Sequence, residues 1–422
     1  MSGVKQTATD RITVTIGSIA LNQVTHFDLS RDLQDISGTF SVTVIDEKRV
    51  IAAAAAISAD VDQYPGLIMP GPAVTIAIDG TPVLTGWLEK ITGKTTAKSL
   101  TCKLAGRDKT GDLVECAAFP KGPTEYRNIG LLAFVTLICA PYGIPVRADV
   151  DLGDVFDRLS MSPHETALAA IDKAARQRSV LVVSDGVGGL LLTRGGTTRG
   201  AAPIRMGEAA YEGDFDIDFS HRFSHYYVKG QTDSSRQRKG IPAALNSTVQ
   251  PLSAGGTAVA APATVTPPTQ SATSTASQSI LMTGLAIDPL ITRWRPTLRL
   301  TRTQSGMSSV QEQAEWTLRV AKGRSFSQRY RVLDWRAGPQ NALWQPNSVV
   351  MVYDPYAGVD ADRLIAGVRF TYDEQGERTE LRVVDLTAYD RVNEAQKRRS
   401  ASRPTAKTKT PVKLDSTVYP LS

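Results

Sequence analysis

Residues 70–108 read PGPAVTIAIDGTPVLTGWLEKITGKTTAKSLTCKLAGRD, and residues 345–390 read QPNSVVMVYDPYAGVDADRLIAGVRFTYDEQGERTELRVVDLTAYD. Both follow one plan. Pro70 leads to Val74 and Ile76 as Pro346 leads to Val350 and Val352, and Gly86 stands before Leu100 at the spacing that separates Gly367 from Leu381. Apolar residues alternate with polar ones, and Gly, Asp, Asn and Pro mark the breaks, so each copy predicts strand, connection, strand, tight hairpin, strand. That sequence of elements is part of an antiparallel β-barrel. A chain with two such barrels that trimerises presents a ring of six, which fits threefold objects to sixfold ones.

Outward from these copies, residues 10–118 are nearly all β, with RITVTIG, FDLSRD and GTFSVTVIDE as further short alternating runs. The AAAAAI stretch at 52–57 predicts a helical insertion. The period then changes. Asn128 to Cys139 is a compact apolar helix ended by Pro141 and Gly143. Ser162 to Arg178 carries a helix start, with Ser162 as cap, Pro163 in the first turn and Glu165 closing a capping box. SVLVVSDGVGGLLLTRGG follows as a hairpin turning at Asp185 to Gly189. A further helix is expected from the cap Ser309, with Glu312 at its third position, to about Lys322, stopped by Gly323. Residues 241–279 contain so few large apolar groups that they cannot offset the entropy of ordering.

The expected class is therefore α+β, mainly β: two similar antiparallel β-barrel domains plus a small α/β domain, which as a trimer would assemble into a ring. The domains fall at 1–118 (first barrel), 119–205 with 286–326 (α/β), and 206–235 with 327–390 (second barrel). Residues 236–285 form a low-complexity insertion, and 391–422 form a basic C-terminal arm.

At 422 residues the chain has length for several cores. No apolar run approaches a membrane span, and the N-terminus lacks the layout of a signal peptide, so a chain made and kept in the cytoplasm, without membrane insertion, is expected. Cys102, Cys116 and Cys139 are odd in number and sit in apolar surroundings, as reduced core residues do. The net charge of +6 is modest and demands no nucleic-acid partner; much of it lies in the arm, where Arg398 and Arg399 sit in a basic run followed by an apolar end containing Tyr419.

Chemistry-bearing motifs are sparse. His221 and His225 have a helical metal-ligand spacing, but their surroundings alternate as a strand, which would hold them more than about 12 Å apart. Asp185 to Gly189 joins two strands and so offers no helix N-terminus to a phosphate. Asp214, Asp216 and Asp218 form the acidic face of one strand: a carboxylate pair for glycoside cleavage, or a solvent, pore or interface face. No catalytic residue, cofactor or metal is assigned. Trp294, Arg295, Trp335, Arg336 and Trp344 are the residue types that interfaces favour, and with the three aspartates and Arg398, Arg399 and Tyr419 they are the interface candidates.

Five motifs in order carry a family resemblance: GRDKTGDLVECAA (106–118), HETALAAIDKAARQRSVLVVSDGVGGLLLTR (164–194), DFSHRFSHYYVKGQ (218–231), DPLITRWRP (288–296) and DWRAGPQNALWQPNSVVMVYDP (334–355). Together they resemble the central baseplate hub proteins of contractile-tailed phages of the Mu type, which are related to the head of type VI secretion spikes. The long Ala/Thr/Ser/Pro segment departs from that pattern. The resemblance implies a homotrimer in the virion tail whose two barrels per chain make a pseudo-sixfold ring. Its implied partners are the tail tube protein or tape measure, the tail spike protein and the baseplate wedge proteins, with DNA passing through the bore without specific binding. The alternatives are a spike-head component of another injection device, and a cell-wall carbohydrate-binding or hydrolysing tail protein.

Overall fold

The computed structural model describes residues 11–21, 24–45, 68, 70–96, 100–118, 123–162, 164–178, 180–232, 280–302, 310–338 and 342–389. The expected insertion at 52–57, the cap Ser309, the segment 241–279 and the arm with Arg398, Arg399 and Tyr419 lie outside the described residues. Two compact units divide the chain, residues 1–222 with 319–422 and residues 223–318.

The first unit opens with β1 (Ile12–Ile16), β2 (Ile19–Leu21), β3 (Val24–Asp32), β4 (Thr39–Ile45), β5 (Ala73–Ile78), β6 (Thr81–Thr95) and β7 (Leu100–Asp108). These hydrogen-bond in the order β3-β4-β7-β6-β5-β1-β2. Every second residue is buried, as Val14, Leu29, Val42, Ile76 and Leu104 show, because a strand presents alternate side chains to one face.

A small α/β region follows, with α1 (Gly111–Glu115), β8 (Glu125–Ile129), α2 (Leu131–Cys139), β9 (Val146–Ala148), β10 (Phe156–Ser160), α3 (Ala167–Gln177), β11 (Leu181–Ser184) and β12 (Leu190–Thr193). Its own core gathers Phe134, Ile138, Ile171 and Leu192. Two helix starts differ from expectation. α2 begins at Leu131 because residues 125–129 pair with β10 instead. α3 is capped by Thr166, whose hydroxyl accepts from the Ala169 amide at 3.3 Å. The Glu165 carboxylate does reach back to the Ser162 amide, at 2.9 Å. That contact closes a turn ahead of the helix, since backbone bonds from Ala118 to Glu165 and from Ala167 to Cys116 flank Thr166, which stays extended.

The second β-module contains β13 (Thr198–Arg199), β14 (Ile204–Arg205) and β15 (Ala210–Ile217). Residues 223–318 then form the second unit, where β16 (His225–Thr232) lies between β17 (Ile280–Ile287) and β18 (Pro296–Arg302). The chain re-enters the first unit along α4 (Val310–Arg324). Gly323 does not stop this helix; it lets the helix approach residue 388, where an added Cβ would meet the Ala388 nitrogen at 2.8 Å. Next come β19 (Phe326–Leu333), β20 (Arg336–Ala337), β21 (Ala342–Leu343), β22 (Ser348–Asp354), β23 (Val359–Asp373) and β24 (Gly376–Val384). The expected grouping of 206–235 with 327–390 is thus divided: β15 joins β19, while β16 belongs to the three-stranded sheet of the second unit.

The second module repeats the order of the first: β15-β19-β24-β23-β22 corresponds to β3-β4-β7-β6-β5, in space and along the chain. β-Bulges set the register of this repeat. Val74 pairs with Gly86, and Val350 with Arg363; Ile91 pairs with Leu104, and Val368 with Leu381. Val74 and Val350 are therefore equivalent, as are Ile76 and Val352. Gly86 and Gly367 are not equivalent, because Gly86 precedes the bulge of β6 whereas Gly367 follows that of β23. Among the described residues the modules do not close as two separate barrels. β23 pairs with β3, so both belong to one 14-stranded sheet with a common core.

Candidate assembly surface

The seam between the modules is built from short-range chemistry. Gly367 to Tyr372 pairs with Asp32 to Phe27. The Arg369 guanidinium donates to Asp28 at 2.9 and 2.5 Å, and Arg382 donates to Asp32 at 2.9 and 2.5 Å. At another part of the seam Arg11 donates to both Asp79 oxygens, at 2.8 and 2.9 Å, and to Glu377 at 2.5 Å. Arg336 donates to Asp79 at 2.7 Å, to the Ile78 carbonyl at 3.2 Å and to Thr81 at 3.0 Å. The Arg11 hydrogen bond, aided by Arg336, holds the Asp79 carboxyl down at about 2, against a smaller opposing effect of burial. Burial pushes the Glu377 carboxyl upward, with Arg11 opposing.

Of the interface candidates, Trp335 and Trp344 lie inside the chain's own core, and Arg336 is engaged within the seam. Trp335 is fully buried, packs edge-on against Phe27 and donates to the Thr371 carbonyl at 3.1 Å; Trp344 is buried in the same core. Within the second unit Trp294 is 69% exposed and lies 4.6 Å from the His225 ring, while Arg295 lies over Phe223. His225 also bonds Ser224 at 2.9 Å. Among the described residues no group of three or more His, Cys, Asp or Glu is placed to hold a metal ion, and no helix is long and apolar enough to cross a membrane.

The polar face of the shared sheet forms two adjoining grooves of about 620 and 640 Å³, lined by Asp28, Asp32, Arg329, Arg331, Arg369, Glu380 and Arg382 with several Ser and Thr residues. Acids and bases alternate across neighbouring strands, and most are paired laterally. Among the described residues β15 borders this face as the edge strand. Asp214 and Asp216 lie opposite Arg329 and Ser327, and Asp218 accepts from the Ser220 amide and hydroxyl. All three aspartates are exposed, and between them Phe215 and Ile217 are 67% and 55% exposed. The three carboxylates therefore share a strand edge with bare apolar side chains.

Sequence reasoning missed a second edge. β5 and the two residues ahead of it cover β6 as far as Leu88, so among the described residues Lys90 to Thr95 pairs on one side alone, with β7. Lys90 and Lys94 are exposed there. Lysine repeated on one face of a strand is itself an edge signal.

The duplicated, mainly β architecture, with its polar sheet face and with strand edges left open among the described residues, recurs in phage tail proteins. By fold the chain matches the 43 kDa tail protein of prophage MuSo2 from Shewanella oneidensis, with a TM-score of 0.66 and 23% identity over 90% of this chain and 99% of that one. The tail protein of Neisseria meningitidis MC58 gives the same TM-score at 18% identity, over 90% and 98% of the two chains. Three domain families match in chain order. Residues 11–108 match the Mu phage baseplate assembly protein GpP-like N-terminal domain, residues 110–194 the second domain of baseplate hub protein gp44-like, and residues 306–391 the fourth domain of Mu phage baseplate assembly protein GpP. The baseplate hub protein gp44 of Escherichia phage Mu is 28% identical over 314 residues, 73% of each chain. The chain belongs to the Mu-type baseplate hub family, and its place is the phage tail.

Proposed function

We propose that this chain is the structural hub of the baseplate, a homotrimer whose six β-modules make a pseudo-sixfold ring joining a hexameric tail tube to a trimeric spike. The observation that carries this reading is the repeated strand order: two modules in one chain let three copies meet a sixfold object. The polar grooves suit the wall of the bore. Their charges are largely paired laterally, which limits the phosphate contacts that would otherwise dominate nucleic-acid affinity, so DNA passes without specific binding. The role is non-enzymatic, because Asp214, Asp216 and Asp218 lie along an exposed strand edge and not in a cleft that could set two carboxyl pKa values apart. The wedge proteins and the tape measure are further partners on this reading, and the C-terminal arm with Arg398, Arg399 and Tyr419 docks on an adjoining tail component. The native mass of the purified full chain tests the proposal. A trimer, seen as a six-lobed ring by electron microscopy, is expected; a stable monomer at micromolar concentration overturns it.

A further inference from the structure

The two open edges are complementary, and the internal repeat supplies their register. We propose that Lys90 to Thr95 of β6 in one copy pairs antiparallel with Gly213 to Asp218 of β15 in the next, placing Lys90 opposite Asp218, Thr92 opposite Asp216 and Lys94 opposite Asp214. This interface deepens the ring reading above and rests on it.

The argument starts from two pairs of matching bulges. In β6 and β23 the bulge lies just before Lys90 and Gly367 respectively, and the next residues, Ile91 and Val368, face the fully buried Leu104 and Leu381. In β3 and β15 it lies between Val24 and His26 and between Ala210 and Glu212. Beyond it Phe27 faces Val42, while Gly213 faces Tyr330. These fixed points make Lys90, Thr92 and Lys94 the counterparts of Gly367, Arg369 and Thr371. They make Asp214, Asp216 and Asp218 the counterparts of Asp28, Ser30 and Asp32. Inside one chain the seam sets Gly367 against Asp32, Arg369 against Ser30 and Thr371 against Asp28. Transferring that register to the open edges gives the pairs above.

The side chains fit the transferred register on both faces of the sheet. On the polar face two lysines meet two aspartates, as Arg369 meets Asp28 in the seam. Gly367 leaves Asp32 room to reach past it to Arg382, since an added Cβ would stand 2.4 Å from Asp32 Oδ2; Lys90, at the same place, supplies the cation itself. On the other face Ile217 meets Ile91 and Phe215 meets Gly93, where an added Cβ would find no atom within 4 Å. The exposed Phe215 ring thus gains an open site, where the seam has Leu29 against Phe370. Pairing β15 with another β15 would oppose carboxylates, and pairing two β6 edges would oppose lysines. The junction is therefore head-to-tail, the kind that closes into rings.

Cross-linking of the full chain tests the register. In a Cys116→Ser background, Lys94→Cys combined with Asp214→Cys should give oxidation-dependent covalent multimers that vanish on reduction. Lys94→Cys with Phe215→Cys, whose side chains point to opposite faces, should not. Lys90→Glu with Lys94→Glu should weaken self-association roughly tenfold, and Asp214→Lys with Asp218→Lys should do the same. All four together should restore it. Circular dichroism of each variant separates a lost junction from a lost fold. If the chain assembles but the in-register pair cross-links no better than its control and the reversals leave the mass unchanged, this interface is overturned while the ring reading stands. A wild-type chain that stays monomeric removes both.

Discussion

Asp32 and Arg382 are joined across a strand that lies between them. Asp32 ends β3, Arg382 is on β24, and Gly367 of β23 stands between, opposite both. Their contacts of 2.9 and 2.5 Å exist because Gly367 has no side chain. Gly367→Val should break this pair and lower the unfolding free energy by about 1–2 kcal/mol, since the pair is partly shielded from solvent and the new side chain must displace the carboxylate. Adding Asp32→Ala to that variant should cost less than Asp32→Ala costs alone. Urea denaturation of the four proteins completes the cycle.

Gly86 should be the least replaceable glycine of the first module. A Cβ there would stand 1.9 Å from the Arg107 carbonyl oxygen and 2.5 Å from the Asp108 Cα, both backbone atoms that cannot swing aside. Gly86→Ala should destabilise by about 3 kcal/mol or more. Gly93→Ala, made in open space on the same strand, should change stability by less than about 1 kcal/mol. Thermal denaturation of the two variants gives the comparison directly.

The repeat was visible in the chain because alternation and turn residues are local signals, and Val74, Ile76, Val350 and Val352 fall at the positions their spacing indicates. Its register on the next strand was not. Gly86 and Gly367 invite superposition, but bulges on either side of them shift the pairing, and a bulge is decided by long-range hydrogen bonds. Trp335 and Arg336 looked like docking residues for a similar reason. Composition cannot show that the indole fills the space beside Phe27 or that the guanidinium ends on Asp79. The acidic strand was legible as a row of carboxylates. That it is an edge depends on which strand fails to lie beside it, and adjacent sequence carries no such information.

Asp79 makes the seam acid-sensitive. Its folded pKa, about 2, is depressed below the unfolded value, chiefly by the Arg11 hydrogen bond. The stabilisation is therefore full above about pH 4 and is lost as pH falls toward the folded value. Asp79→Asn should be less stable than the native sequence at pH 7, and the gap should narrow steadily below about pH 4. Guanidinium titrations at several pH values would show it; a gap independent of pH would exclude the assignment.

Asp108 should respond in the opposite sense. It is buried where the β11–β12 hairpin meets the first module. It accepts from the Ser184 hydroxyl at 2.6 Å, the Thr110 hydroxyl at 2.5 Å and the Thr110 amide at 3.0 Å. Burial raises its pKa, and the Ser184 and Thr110 hydrogen bonds and the Arg31 charge only partly oppose this. The folded form thus holds a proton that the unfolded form has released, so this group's contribution falls as pH rises from the unfolded value through the folded one. Asp108→Asn cannot ionise and should gain stability relative to the native sequence across that rise, the reverse of Asp79→Asn. Asp108→Ala, which leaves both hydroxyls without this acceptor and removes the carboxylate nearest Arg31 in charge, should cost about 3 kcal/mol at neutral pH. Ser184→Ala should cost about 1 kcal/mol. Because the Gly186 carbonyl accepts from the Thr85 amide at 2.9 Å beside this network, amide exchange at Thr85 should quicken in the Asp108→Ala protein before exchange in the α2 and α3 helices does. Equal acceleration everywhere would mean that Asp108 supports global stability alone and does not fasten the hairpin to the β-module.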